Sequence, residues 1–156
     1  MANKCLSLAL HGGAGAMKSR DYSREVPHMR GLVEAARDRL SAGASALEVA
    51  VETVAALEAS GLYVAGRGAS PNLSGVYELD AGLMDGATLK AGAVAALTGF
   101  QSPIAVARCV MERTPHVMLA GAGAATAPAF MVAPSIRLAS SSWTPARLGE
   151  APRPAT

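Results

Sequence analysis

The sequence predicts a mixed fold of α/β or α+β class, and three observations predict it. Short runs alternate apolar residues in the manner of strands, others repeat them every four residues in the manner of helices, and the two kinds are interleaved. The resulting order is strand, helix, helix, strand, strand, helix, strand. Hydrophobic residues make up 51% of the 156-residue chain and charged residues 17%. That balance buries a core rather than leaving a chain unfolded, and the length suits one domain.

Residues 5–10 read as a buried strand, with Leu6, Leu8 and Leu10 on one face and Cys5, Ser7 and Ala9 on the other. Gly12, Gly13 and Gly15 end it. The stretch "MKSRDYSREVPHM" is a polar surface connection that leaves His28 at a solvated helix start. From Met29 to Leu40 the spacing of Leu32, Ala36 and Leu40 predicts a helix, and Gly43 is its stop. Ser45 and Glu48 form the S-x-x-E pattern of a capping box. The helix that follows carries an apolar stripe of Leu47, Ala50, Val51, Val54 and Leu57.

"SGLYVAGRGASPNLSG" is a long irregular stretch, the kind of loop that is functional or disordered. "VYELDAGLMDG" reads as a strand with turn chemistry at Asp85 and Gly86. "LKAGAVAALTGF" fits a strand or a helix equally. Ser102 and Pro103 have the character of an N-cap and first helical position, opening a helix through "IAVARCVMER" that stops before Pro115. "HVMLAGAGAATA" is a further short strand and glycine turn, with a helix open beyond it. After Ala127 the chain turns Pro- and Ser-rich and reads as a loosely docked tail.

Composition excludes several function classes. The formal charge is +2 and aromatics are only 4%. Nucleic-acid binding needs clustered cations and stacking rings, so no nucleic-acid partner is expected. No run is long and apolar enough to span a bilayer, and the short apolar run before His11 falls below signal-peptide length. Cys5 and Cys109 each lie in an apolar run outside any C-x-x-C. They read as buried free thiols of a cytoplasmic protein rather than metal ligands.

The glycine motifs are incomplete as nucleotide sites. Gly13-Ala14-Gly15 meets Lys18 where a third glycine is needed, and Gly121-Ala122-Gly123 meets Thr126. No G-x-S-x-G surrounds a serine. His11, at a strand end, is either a loop-orienting hydrogen-bonding group or an incidental polar residue. Asp80 and Asp85 are five positions apart and read as a strand acid and a turn residue rather than an acid–base pair. Arg67 reads as a solvated loop residue. The residues alone supply no complete catalytic set.

The combination of segments carries more. "ALHGGAGA", "GLYVAGRGA", "YELDAGLMDG", "LKAGAVAAL", "SPIAVARCVME" and "TPHVMLAGAGA" stand in an order and spacing that resembles the plant-type asparaginase and isoaspartyl peptidase family, over roughly residues 5–125. These are N-terminal nucleophile hydrolases. The resemblance implies an α+β fold, the αββα four-layer sandwich, with this chain supplying the α-subunit part at 1–127. Residues 128–156 then correspond to the variable linker before a self-cleavage site. The family's threonine nucleophile opens a "TVGAVA"-like strand that this sequence lacks. The resemblance therefore places that residue on a separate β chain, with no catalytic residue in this chain. Thr156 has no glycine before it and is not taken as the nucleophile.

The implied partners are that β chain, in an (αβ)₂ assembly, and a small β-aspartyl substrate. The implied site residues are a supporting loop at His11, Gly12 and Gly13, and a sodium ion held by main-chain oxygens of Leu57, Glu58, Ser60, Tyr63, Ala65 and Arg67. No organic cofactor is implied. One departure stands out: Val64 occupies a position where the family commonly has an asparagine near the nucleophile, which bears on self-cleavage or substrate preference. The alternatives are a non-catalytic or truncated member acting as an interaction subunit, and a related amidase such as glycosylasparaginase or a β-peptide-processing enzyme.

Overall fold

The computed structural model describes residues 5–14 and 17–126. Its elements are α1 (Glu25–Ser41), α2 (Ala46–Ser60), a 3-10 turn (Gly66–Gly68), β1 (Leu79–Met84), β2 (Ala91–Leu97), α3 (Pro103–Arg113), β3 (Met118–Ala120) and α4 (Gly121–Thr126). The segment read as a tail, 128–156, lies outside the described residues.

The helical pair forms where local signals place it. Glu25, in the first turn of α1, adds a negative charge where the helix dipole favours one. Between the helices, Gly43 takes φ +95°, a conformation that glycine adopts without steric cost. Ser45 Oγ accepts from Glu48 N at 3.2 Å and Glu48 Oε2 accepts from Ser45 N at 3.2 Å, so the capping box is complete. Gly61, left-handed at φ 69°, closes α2.

The sheet runs β1-β2-β3. β1 and β2 are antiparallel. Their turn is tied by Asp85, which accepts from Thr88 Oγ1 at 2.6 Å and Ala87 N at 3.1 Å. The pairing slips between Leu79 and Ala81, which face Leu97 and Val94. Within that bulge Ala96 sits at φ 51° and gives its N–H to Asp80 Oδ1 at 2.8 Å. β2 and β3 are parallel, joined through α3, which lies on one face of the sheet. "LKAGAVAALTGF", ambiguous in the sequence, is thus largely strand.

The core sits between α3 and the sheet. Val94, Leu97, Phe100, Val106, Ala107, Val110 and Ala124 are buried there, with Ala81, Leu83 and Leu119 packed against them. Gly92 allows the close approach, since a Cβ at that position would lie 2.6 Å from Met111 N. By strand alternation the opposite face carries Asp80, Gly82, Met84, Ala91, Ala93, Ala95, Met118 and Ala120. All but Asp80 are apolar, yet Met84 is 61% and Met118 55% exposed.

Several expectations are corrected. Residues 5–10 form no strand; Cys5, Leu6 and Leu8 are exposed. A strand needs a neighbour to pair its backbone groups, and among the described residues none pairs with this segment. His28 is half-buried rather than solvated, because α1 starts four residues earlier than its apolar spacing indicated and turns the imidazole toward Tyr63. No separate glycine turn precedes α4; Gly121, at φ 52°, opens it directly after β3. Cys109 is buried as expected, and burial pushes its thiol up. Among the described residues no helix is long and apolar enough to cross a membrane.

Candidate functional site

The N-terminal glycine loop, the first turns of α1 and the loop after α2 meet around Tyr63. Gly12 is pressed against them: a Cβ there would stand 2.9 Å from Met29 Cε and 3.1 Å from the Tyr63 ring. Gly13, at φ 111°, donates its N–H to His11 Nδ1 at 3.3 Å. His11 itself is exposed. Of the three residues expected to form a supporting loop, the structure therefore packs Gly12 into the site. His11 braces the loop from outside.

Tyr63 is 8% exposed. Its hydroxyl donates to the Glu25 carbonyl at 3.1 Å and stands 3.1 Å from His28 Nδ1. With the phenol hydrogen committed to Glu25, His28 Nδ1 is the complementary donor, a tautomer inferred from the network. Burial raises the Tyr63 phenol above its ordinary range. Beside it opens a cleft of about 280 Å³ whose lining includes Gly12, Gly13, Arg20, Tyr22, Met29 and Val64. Arg20 is paired with Glu25 at 2.8 Å and lies 5.3 Å from the centre of the Tyr22 ring. Val64, 64% exposed, gives the wall no polar handle.

The loop from Glu58 to Gly68 folds back on itself through its carbonyls. Leu57 O accepts from Ser60 Oγ at 2.7 Å, Tyr63 O from Ala65 N at 2.8 Å and Ala65 O from Gly68 N at 3.0 Å. Arg67 is exposed, as expected, and extends Nη1 to Ala59 O at 3.3 Å. Two glycines let the oxygens turn inward. A Cβ on Gly66 would lie 2.5 Å from Glu58 O, and one on Gly68 would collide with Tyr63 O and lie 3.2 Å from Gly61 O. Neutral oxygens of this kind suit a hard cation. Of the oxygens expected as donors, those of Glu58 and Tyr63 lie against Gly66 and Gly68, as does Gly61 O. Leu57, Tyr63 and Ala65 already accept bonds within the chain.

Beneath the loop lies a carboxylate whose side chain the sequence reading passed over. Glu58 is 3% exposed. Its Oε2 accepts from Ser102 Oγ at 2.7 Å and its Oε1 from Ile104 N at 3.0 Å. Burial pushes its carboxyl up to about 7, against the pull of those two bonds. The available signal was a lone acid in the apolar end of α2, "VAALEAS". Asp80 and Asp85 do not form a pair: Asp80 accepts from Ala96 N on the neighbouring strand and Asp85 from Thr88 Oγ1 in its own turn. Among the described residues no three His, Cys, Asp or Glu side chains group as a metal site.

A family model described as asparaginase matches residues 4–144. The isoaspartyl peptidase of Salmonella typhimurium is 47% identical over 122 residues, covering 75% of this chain and 39% of that protein. The isoaspartyl peptidase of Escherichia coli is 45% identical over 122 residues, covering 75% and 38%. A plant-type L-asparaginase of Pyrobaculum calidifontis is 45% identical over 120 residues, covering 76% and 40%. The chain thus spans well under half the length of these relatives.

Proposed function

Because this chain belongs to the asparaginase family, we propose that it is the α subunit of an autoprocessed isoaspartyl peptidase/L-asparaginase. The complex hydrolyses β-aspartyl isopeptide bonds and the side-chain amide of asparagine. The observation that carries the reading is the family match, which runs through the glycine loop, the Glu58–Gly68 loop and the sheet. The nucleophile in this reading is the first residue of a separate β chain, a threonine freed by self-cleavage. Its α-amine takes the proton of its hydroxyl, which attacks the substrate carbonyl; the C–N bond breaks, the departing amine or ammonia takes that proton, and water then hydrolyses the acyl-enzyme.

The largely apolar face of Gly82, Met84, Ala93, Ala95, Met118 and Ala120, exposed at Met84 and Met118, supports the sandwich part of this reading. A face of that character is stable only against another layer, and its small side chains suit a second sheet packed about 10 Å away. The exposed alternation of Leu6 and Leu8 fits a strand that pairs with the β chain. Two αβ units then form (αβ)₂. A sodium ion in the loop, on main-chain oxygens drawn from Leu57, Glu58, Gly61, Ser60, Tyr63, Ala65 and Arg67, would stiffen the backbone that carries Tyr63 and Val64.

The test is expression of the full precursor, followed by intact-mass measurement under denaturing conditions and assays on isoaspartyl dipeptides, free asparagine and glycosylasparagine. Two chains in equal amount, the second led by threonine, with turnover of the first two substrates, are expected. A single uncleaved chain without turnover makes this an interaction subunit instead. Turnover of glycosylasparagine alone transfers it to that specificity.

A further inference from the structure

Glu58 is a buried carboxylate that the proposed hydrolysis does not use. Burying such a group is costly unless its oxygens are satisfied, and both are. Ile104 is the second residue of α3, so its N–H is one of the first-turn donors that a helix leaves unpaired. Pro103 before it has no N–H. Ser102, at the N-cap, makes no cap bond of its own; its hydroxyl is given to Glu58. The cap of α3 therefore comes from α2.

The other side of the same residue carries the loop. A Cβ on Gly66 would meet Glu58 O at 2.5 Å, Glu58 Cβ at 2.7 Å and Glu58 Cα at 2.8 Å, so Gly66 rests directly on it. Gly66 opens the 3-10 turn, Gly68 closes it against the Tyr63 carbonyl, and Tyr63 in turn packs on Gly12 and holds Glu25 and His28. We propose that Glu58 is the positioning residue of the site: its two hydrogen bonds fix the end of α2, on which Gly66 and the 61–68 loop rest, to the first turn of α3, and so hold the Tyr63 wall of the cleft in place. The inference concerns how the loop is held and stands whichever substrate the enzyme takes.

Amide hydrogen exchange on the full chain tests it, because Ala65, Gly68 and Ala69 donate the loop's own backbone bonds and report its opening. The comparison is between wild type, Glu58→Ala, Glu58→Gln and Thr53→Ala. Thr53 is a buried neighbour on α2 whose hydroxyl bonds only to Val49 O, at 2.7 Å, among the bonds described for it. Glu58→Ala should speed exchange at these amides about tenfold beyond Thr53→Ala, as loss of one local lock predicts. Glu58→Gln should restore near wild-type rates, since its amide can still accept from Ile104 N and donate to Ser102 Oγ. Should Glu58→Ala fail to fold, Ser102→Ala, which removes one of the two bonds, is read in the same way. Loop exchange no faster than in Thr53→Ala, or Glu58→Gln as fast as Glu58→Ala, overturns the proposal.

Discussion

Replacing Gly66 by alanine separates backbone strain from crowding at the centre of the loop. Gly66 has φ 52°, and an L-residue held in that left-handed region costs about 1 kcal/mol. The new Cβ would also lie 2.5 to 2.8 Å from three atoms of Glu58, where carbon contacts settle near 3.5–4.0 Å. The loop must then retreat from α2 by about 1 Å. Overpacking of that order costs about 1–3 kcal/mol. Together the two effects amount to about 2–4 kcal/mol, or on the order of 10 °C in Tm for a chain of this size. Gly43→Ala is the control: φ is +95°, but no atom lies within 4 Å of its Cβ position, so only the backbone cost of about 1 kcal/mol applies. Thermal and urea unfolding of both variants, in the same full-length background, give the comparison. If Gly66→Ala loses no more stability than Gly43→Ala, Gly66 does not rest on Glu58 and the inward-facing carbonyls are misplaced.

Further outcomes follow from other sites. Ser45→Ala removes half of the capping box and should cost about 1 kcal/mol in urea unfolding. Glu58 is held at about 7 by burial, above the ordinary carboxylate value of 4.5. Between those values the folded chain binds more protons than the unfolded one, so this group lowers stability as pH rises through the window. Urea midpoints at about pH 5 and about pH 8 should therefore differ less in Glu58→Gln than in wild type; an equal difference would remove Glu58 as its source. Val64→Asn puts an amide on the exposed wall of the cleft. Under the proposed function it should speed appearance of the two chains in a time course of the precursor, whereas unchanged processing would separate Val64 from self-cleavage.

Local signals were legible in the chain order of residues. The capping box of Ser45 and Glu48, Pro103 at the start of α3 and the four-residue spacing of α1 each act over one or two turns; α2 and α3 formed where they stand, and α1 formed over its spacing but began four residues earlier. The family, too, could be read there, because its segments keep order and spacing. Tertiary contacts decided the rest. Whether "LKAGAVAALTGF" became strand depended on pairing with β1 and β3, and the equally plausible strand at 5–10 has no pairing partner among the described residues. The side chain of Glu58 meets partners 44 and 46 residues away, a separation at which periodicity and capping rules say nothing. A short-range pattern specifies how a segment can fold, whereas burial and hydrogen-bond satisfaction belong to whatever the finished fold brings alongside it.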